Sequence, residues 1–358
     1  MSLAWLILQF VIVLGLLIFL HELGHFLASK ALGIPIVEFG FGYPPRMVKL
    51  FTWKGTDVTL NWIPFGGFVR AKGESDTDVE GGMAAAPAWK RLIIMFSGPL
   101  MNFVVGILIL IIMYVSLGTP ASNQVLITEI AASSPAETVG LQAGDIILEV
   151  NDTPLESIEN AQALIQEHLE EEIALFVLRG EENLIIHVTP RENPPEGQGA
   201  MGVTLSYPLK PMPFFNAVGY AFKTAYFQGR EFILLPINLV KGAISSEDAR
   251  IVGLKGIFDI YEQAGQMDAD TNIALAQQLP IFRLSVVAMI SIAFGLTNLL
   301  PIPMLDGGQI LFLMPELLFK RPIPQKYVNV VNTFFFMLLI LLMVYITVQD
   351  FVNPIFKP

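Results

Sequence analysis

The 358 residues are 53% hydrophobic and only 15% charged, which excludes a single water-soluble domain and places much of the chain in a membrane. The net charge of −11 comes without any basic patch interleaved with aromatics, so no nucleic-acid partner is expected. Cysteine is absent, which removes disulfides and thiolate metal ligands and leaves histidine and carboxylate for any metal.

In chain order, the first feature is the apolar run LAWLILQFVIVLGLLIFL, continuing into HELGHFLA, from Leu3 to about Ala28. It is the first of four candidate transmembrane segments; the others are Leu92 to Leu117, Leu284 to about Leu318 with a Pro/Gly interruption, and Val328 to Val348. A cleaved signal peptide fits the first run poorly, because a basic start is missing and the small-residue site near Ala28 lies beyond the charged cluster.

Between the first two spans, Ile36 to Arg70 has glycine and proline punctuation and β-prone runs around Trp53-Lys54-Gly55, the pattern of a hairpin. Its aromatics Phe39, Phe41, Tyr43, Trp53, Trp62, Phe65 and Phe68 suit a bilayer interface as well as they suit a cytosolic hairpin. The loop from Lys30 to Arg91 holds eight Lys/Arg, and Lys320, Arg321 and Lys326 follow the third span, so both loops are expected to be cytoplasmic. The segment from Thr119 to Pro280 has eight Lys/Arg against 22 acids and is expected outside, together with both termini.

Residues 124–190 change character: VLITEI, DIILEV, IALFVL and LIIHV are strand-like, SIENAQALIQEHL has helical spacing, and Arg179 to Asn183 forms a turn. The stretch SSPAETVGLQAGDIILEVND resembles the PDZ domain through Gly140, Leu141, Gly144 and Asp145, a module that adds an extended peptide to a sheet edge. ENPPEGQG then suggests a linker, and Phe214 to Val240 fits either an interfacial amphipathic helix or a solvent helix packed on the PDZ-like domain. The expected fold is an α-helical polytopic membrane protein of four transmembrane segments, with a membrane-associated β-hairpin and one inserted extracytoplasmic PDZ-like α+β domain. The expected divisions are 1–118 (spans one and two with the hairpin), 119–195 (PDZ-like), 196–280 (linker and interfacial helices) and 281–358 (spans three and four).

Chemistry enters at HELGH. On a helix His21 and His25 share a face and can bind one metal ion, with Glu22 one step round, beside the open position. This is the His-Glu-x-x-His pattern of zinc peptidases, in which the carboxylate takes a proton from the attacking water. Each ionisable group at the centre of a span costs roughly 2.5–3.5 kcal/mol to insert, and zinc would satisfy all three together. A His/Glu cluster hydrogen-bonded between helices is the structural alternative.

Catalytic zinc commonly takes three protein ligands. Of the four histidines, His168 and His187 fall in the soluble region, and Asp306 in NLLPIPMLDGGQILFL stands out within the third apolar segment. Glu316 lies nearer the loop and is expected to snorkel or face water. Pro301, Pro303, Gly307 and Gly308 should break the helix around Asp306, which a membrane tolerates only where the backbone is buried in protein or lines a wet cavity. Asn298 either donates to a substrate carbonyl or makes an ordinary interhelical hydrogen bond.

HELGH in the first span, SGPLMN in the second, a PDZ-like insert and N-x-x-P-x-P-x-L-D-G-G in the third together resemble the site-2 protease family of intramembrane zinc metalloproteases, in the bacterial branch that includes the regulator of sigma-E protease. The resemblance implies Zn2+ held by His21, His25 and Asp306, catalytic Glu22, substrate-positioning Asn298, and Asn102 near the site in a helix-packing role. It also implies that the hairpin edge pairs with unwound substrate. One PDZ-like domain fits the available length, where some relatives carry two.

The expected activity is hydrolysis of peptide bonds within single-pass membrane proteins, such as anti-sigma factors or signal-peptide remnants, already shortened by a site-1-type protease, in the bacterial inner membrane and in contact with its lipid. The competing classes are an intramembrane metal or proton transporter, and a non-catalytic PDZ scaffold with structural zinc.

Overall fold

The computed structural model describes residues 2–74, 76, 78–121, 123–195, 197–210, 212–242, 252–270 and 280–354. The chain forms two compact units, one of residues 1–113 with 214–358 and one of Tyr114–Pro213.

The first unit begins with α1, Leu3–Ala31. Ser2 caps it by accepting from the Trp5 N–H at 3.4 Å. At 1.5 Å per residue its 29 residues reach about 44 Å, more than a hydrocarbon core requires.

The expected hairpin follows as β1, Ile36–Trp53, and β2, Thr56–Ala71. Lys54 and Gly55 join them at φ 47° and 80°, the left-handed pair that a two-residue hairpin turn demands. The strands curl so that the start of β1 lies between two stretches of β2: Phe41 is opposite Leu60 on one side and Gly67 on the other, which leaves Gly67–Ala71 as an edge. Buried Glu38 holds this curl, accepting from Arg46 Nε at 2.9 Å, Arg70 at 2.5 Å and the Thr59 hydroxyl at 3.0 Å. Phe19 of α1 stacks on Phe41 with ring centroids 4.6 Å apart, packing the hairpin on α1, while Phe51, Trp53 and Trp62 stay exposed.

Helix α2, Ala88–Leu117, crosses α1 with backbones almost touching, because Gly24 of HELGH faces the Ser97 carbonyl where a Cβ could not fit.

The second unit contains β3 (Thr119–Pro120), β4 (Val125–Ile130), α3 (Pro135–Thr138), β5 (Ile146–Val150), β6 (Thr153–Pro154), α4 (Ile158–Glu167), β7 (Ile173–Arg179), β8 (Glu182–Val188), β9 (Val203–Ser206) and β10 (Leu209–Lys210). The main sheet runs β8-β7-β5-β4-β9, with β6 pairing on β5. Alternate residues Val125, Ile127, Ile173, Leu175 and Val177 point inward against Ala136 of α3 and Ala161 and Ile165 of α4.

The expected division at 195 falls inside this unit. Leu205 of β9 pairs with Ile127, and Leu209 of β10 pairs with Pro120, so the chain returns to the sheet after ENPPEGQG. Proline and glycine mark that stretch as a loop, but local composition does not say to which sheet a loop returns.

Asp145 of the Gly-Asp pair is buried and accepts from both Arg179 Nε and the Arg179 terminal nitrogen at 2.7 Å, and from the Gln142 N–H at 2.8 Å. Burial alone would raise its pKa; the Arg179 and Gln142 bonds outweigh that and hold the carboxyl below the usual carboxylate range. The contribution to stability is therefore complete above the unfolded value of about 3.9 and lost as pH falls through the lower folded value. Arg179→Met is expected to cost this unit roughly 1–3 kcal/mol at pH 7, with the deficit shrinking at pH 3. Urea titration monitored by hydrogen exchange of the Ile127, Ile147 and Val177 amides tests this; equal midpoints at pH 7 would refute it.

Returning to the first unit, α5 is Phe214–Val240, α6 Leu254–Asp270, α7 Ile281–Asn298, α8 Asp306–Phe319 and α9 Gln325–Val352. Helix α5 is the expected amphipathic element, and Gln228 donates to the Met289 carbonyl at 2.8 Å, which makes α7 its partner. Helix α6 packs Tyr261 and Ala264 against Leu6, Phe10, Leu14 and Leu17 of α1 and against Val286 and Ile290 of α7. At its end Asp268 accepts from the Phe282 N–H at 2.8 Å and the Arg283 N–H at 3.2 Å, capping the start of α7.

Among the described residues four helices, α1, α2, α7 and α9, are long and apolar enough to cross a membrane. The third span is thus Ile281–Asn298 and does not continue to Leu318; α8 is a separate helix after the Pro301/Pro303 break. Glu316 also differs from expectation. It does not snorkel alone: both its oxygens accept from Arg91 of α2 at 2.5 Å, in a half-buried pair.

Candidate metal centre

One turn apart on α1, His21 and His25 place their Nε2 atoms 3.2 Å from each other. Asp306, the first residue of α8, brings Oδ2 to 3.1 Å from His21 Nε2 and Oδ1 to 3.5 Å from His25 Nε2. One ligand atom from each of these three residues lies within 4.8 Å of the other two.

The far side of each imidazole fixes what the near side can do. His25 Nδ1 is 2.7 Å from the Ile94 carbonyl, which can only accept, so the proton sits on Nδ1 and the Nε2 lone pair points inward. His21 Nδ1 is 3.1 Å from the Asn102 carboxamide, which is wholly buried and whose Oδ1 has no partner. With that amide turned over, Oδ1 accepts from the His21 Nδ1–H, which gives the buried oxygen a partner and gives His21 the same tautomer as His25.

Two inward lone pairs leave Asp306 without a donor from either ring, and its Oδ2 is indeed buried with no hydrogen-bond partner. Three electron-pair donors that converge without a proton between them fit a cation.

The room for that cation comes from α2. A Cβ on Gly98 would overlap the His25 ring and lie 2.8 Å from His21 Nε2. Ile94, Gly98 and Asn102 recur every four residues, one face of α2, supplying in turn an orienting carbonyl, open space and an orienting amide. Sequence reasoning had Asn102 near the site but missed Ile94 and Gly98; their shared face was the available signal.

The LDGG sequence has a local reason. Met304 has φ 81°, and a Cβ on Gly307 or Gly308 would strike the carbonyls of Leu299, Leu300 or Ile302. The chain can therefore fold back over the first turn of α8 only with glycines there, and Asp306 starts that helix, where the macrodipole favours a carboxylate.

Glu22 follows His21 on α1 and is half-buried. The bare side of Gly67, on the β2 edge, faces it: a Cβ there would lie 3.6 Å from Glu22 Cγ. Asn298 ends α7, half-buried, with no side-chain hydrogen bond among the described residues. His168 and His187 lie in the second unit, the first bonded to the Leu164 carbonyl at 2.9 Å and the second 3.7 Å from Glu172.

Comparison with known proteins agrees with this chemistry. The sequence pattern of Peptidase family M50 matches residues 9–342. A Clostridium perfringens protein described as a "putative zinc metalloprotease" is 30% identical over 340 residues, 95% of this chain and 96% of its own. A Campylobacter jejuni protein of the same description is 29% identical over 362 residues, 95% of this chain and 91% of its own. The regulator of sigma-W protease RasP of Bacillus subtilis is 26% identical over 430 residues, 96% of this chain and 98% of its own. A solved PDZ domain, from the SdrC-like protein of Listeria monocytogenes, covers 24% of this chain and 92% of its own, at 20% identity and a TM-score of 0.22. A family match that begins inside the first membrane helix and ends inside the last takes in every element that builds the candidate metal centre, and the chain belongs to peptidase family M50, the site-2 proteases, as a multi-pass membrane zinc metalloprotease.

Proposed function

We propose that the chain is an intramembrane endopeptidase in which His21, His25 and Asp306 hold zinc, Glu22 is the general base, Asn298 positions substrate and Asn102 orients His21. The observation that carries this reading is the convergence of the His21 and His25 Nε2 atoms on the Asp306 carboxylate, whose buried Oδ2 has no hydrogen-bond partner. Zinc, when bound, supplies the Lewis acidity that polarises the scissile carbonyl and lets water attack at neutral pH. Glu22 takes the proton of that water and passes it to the leaving amine, and Asn298 donates to a carbonyl of the substrate.

The substrate is a single-pass membrane protein, such as an anti-sigma factor or a signal-peptide remnant, shortened beforehand by a site-1-type protease. Its amides are hidden while it is helical, so the cleaved segment must be extended. The Gly67–Ala71 edge supports pairing of such a segment, because it has an open side and passes Glu22 at Gly67. The exposed Phe51, Trp53 and Trp62 suit contact of the hairpin with lipid.

The basic loops support a cytoplasmic hairpin in the bacterial inner membrane, with the PDZ-like unit and both termini on the outer side.

Purified protein in liposomes, given a panel of model transmembrane helices, is expected to cut at least one within its apolar segment. Chelation should abolish that cleavage and added Zn2+ restore it. Cleavage that persists after complete metal removal would overturn the assignment.

A further inference from the structure

Helix α8 carries the Asp306 ligand of the site proposed above, and the inference here rests on that reading. The beginning of α8 has no cap of its own: its N-cap residue, Leu305, makes no side-chain hydrogen bond. Just before it, Met304 stands at φ 81°, a conformation that L-residues with long side chains avoid and that persists only where the surroundings impose it.

Besides the close packing of Gly307 and Gly308 on the loop carbonyls, the surroundings include one side chain of α9. Asn332 Oδ1 accepts from the Met304 N–H at 3.1 Å and from Gln309 Nε2, in the first turn of α8, at 3.2 Å. A single oxygen therefore bridges the strained loop and the new helix, with Asp306 between its two donors. Among the described residues, the further polar tie of α8 beyond its first turn, from Arg91 to Glu316, lies ten residues along from Asp306, nearly three turns away, too far to set the orientation of that turn.

Asn332 also lies in an apolar, membrane-length helix, where an amide is costly unless its hydrogen bonds are used. It borders an open surface depression shared with Met304, Asn329, Thr333 and Phe336, so an apolar replacement of similar size meets open space.

We propose that Asn332 is a positioning residue for the metal centre: by clamping Met304 and Gln309 it fixes the direction in which Asp306 leaves the backbone. The test compares purified full-length variants by chelator competition for Zn2+ and by the visible spectrum of the Co2+-loaded protein. Asn332→Leu is expected to bind Zn2+ about 10- to 100-fold more weakly and to shift the Co2+ spectrum. Asn332→Asp, which keeps the accepting oxygen, and Asn329→Ala, which borders the same depression but whose side chain accepts from Gln325, are expected to match the wild type in both. Wild-type affinity and spectrum in Asn332→Leu would overturn the proposal, and so would equal weakening in all three variants. Asp306→Ala in the same assay keeps the two readings apart: it should lose Zn2+, and wild-type affinity there would defeat the ligand assignment and this proposal with it.

Discussion

Glu22→Gln is expected to retain one zinc per chain and to lose cleavage by about 10²–10⁴-fold, the usual contribution of a positioned general base. The substitution preserves size and hydrogen-bonding shape and removes only the capacity to accept a proton. Zinc should stay because the three converging ligand atoms belong to His21, His25 and Asp306, and each imidazole is held from behind by Ile94 or Asn102, neither of which touches Glu22. Gly67 gives the glutamine the same clearance that it gives the glutamate, so the edge strand should not shift. Metal content and single-turnover cleavage of a model transmembrane helix, measured on one preparation, separate the two effects. Loss of zinc together with activity would mean that Glu22 is a ligand or a structural prop; full activity would remove it from the chemistry.

The features that local pattern controls were legible before the fold was known. Four spans, the Lys54-Gly55 turn, the His21/His25 face and a helix break beside Asp306 all follow from hydropathy, left-handed turn residues or helical spacing within a few positions. What stayed hidden depends on distant partners. The break at Pro301 and Pro303 was visible, but α8 as a helix of its own follows from Gly307 and Gly308 accepting the carbonyls of Leu299, Leu300 and Ile302 at close range. Glu316 reads in sequence as snorkelling or facing water because Arg91, its partner, is 225 positions away. The PDZ-like unit was closed too early because β9 and β10 are short strands that gain meaning only from β4 and β3. At the metal centre the ligand residues could be named by type, whereas Ile94 contributes a backbone carbonyl and Gly98 an absence of atoms, neither of which residue chemistry advertises.

Gly98→Ala is the sharper test of the geometry, since it adds one methyl group and no charge. That methyl would lie 2.8 Å from His21 Nε2 and overlap the His25 ring, in the space toward which both lone pairs point. The helices cannot simply part to admit it, because one residue away Gly24 and the Ser97 carbonyl already hold α1 and α2 at backbone contact. Relief must come from the imidazoles, and turning His25 aside breaks its 2.7 Å bond to Ile94 and removes a donor from the set. Zinc affinity is therefore expected to fall by about 100-fold or more, the upper end of what disturbing the surroundings of metal ligands produces, with cleavage lost in parallel. Gly219→Ala, in α5 with nothing within 4 Å of the added methyl, serves as the control and should leave both unchanged. Helix content by circular dichroism should match the wild type in each variant, because alanine favours a helix over glycine. Full zinc occupancy and normal cleavage in Gly98→Ala would mean that the metal does not sit between the two imidazoles and Asp306.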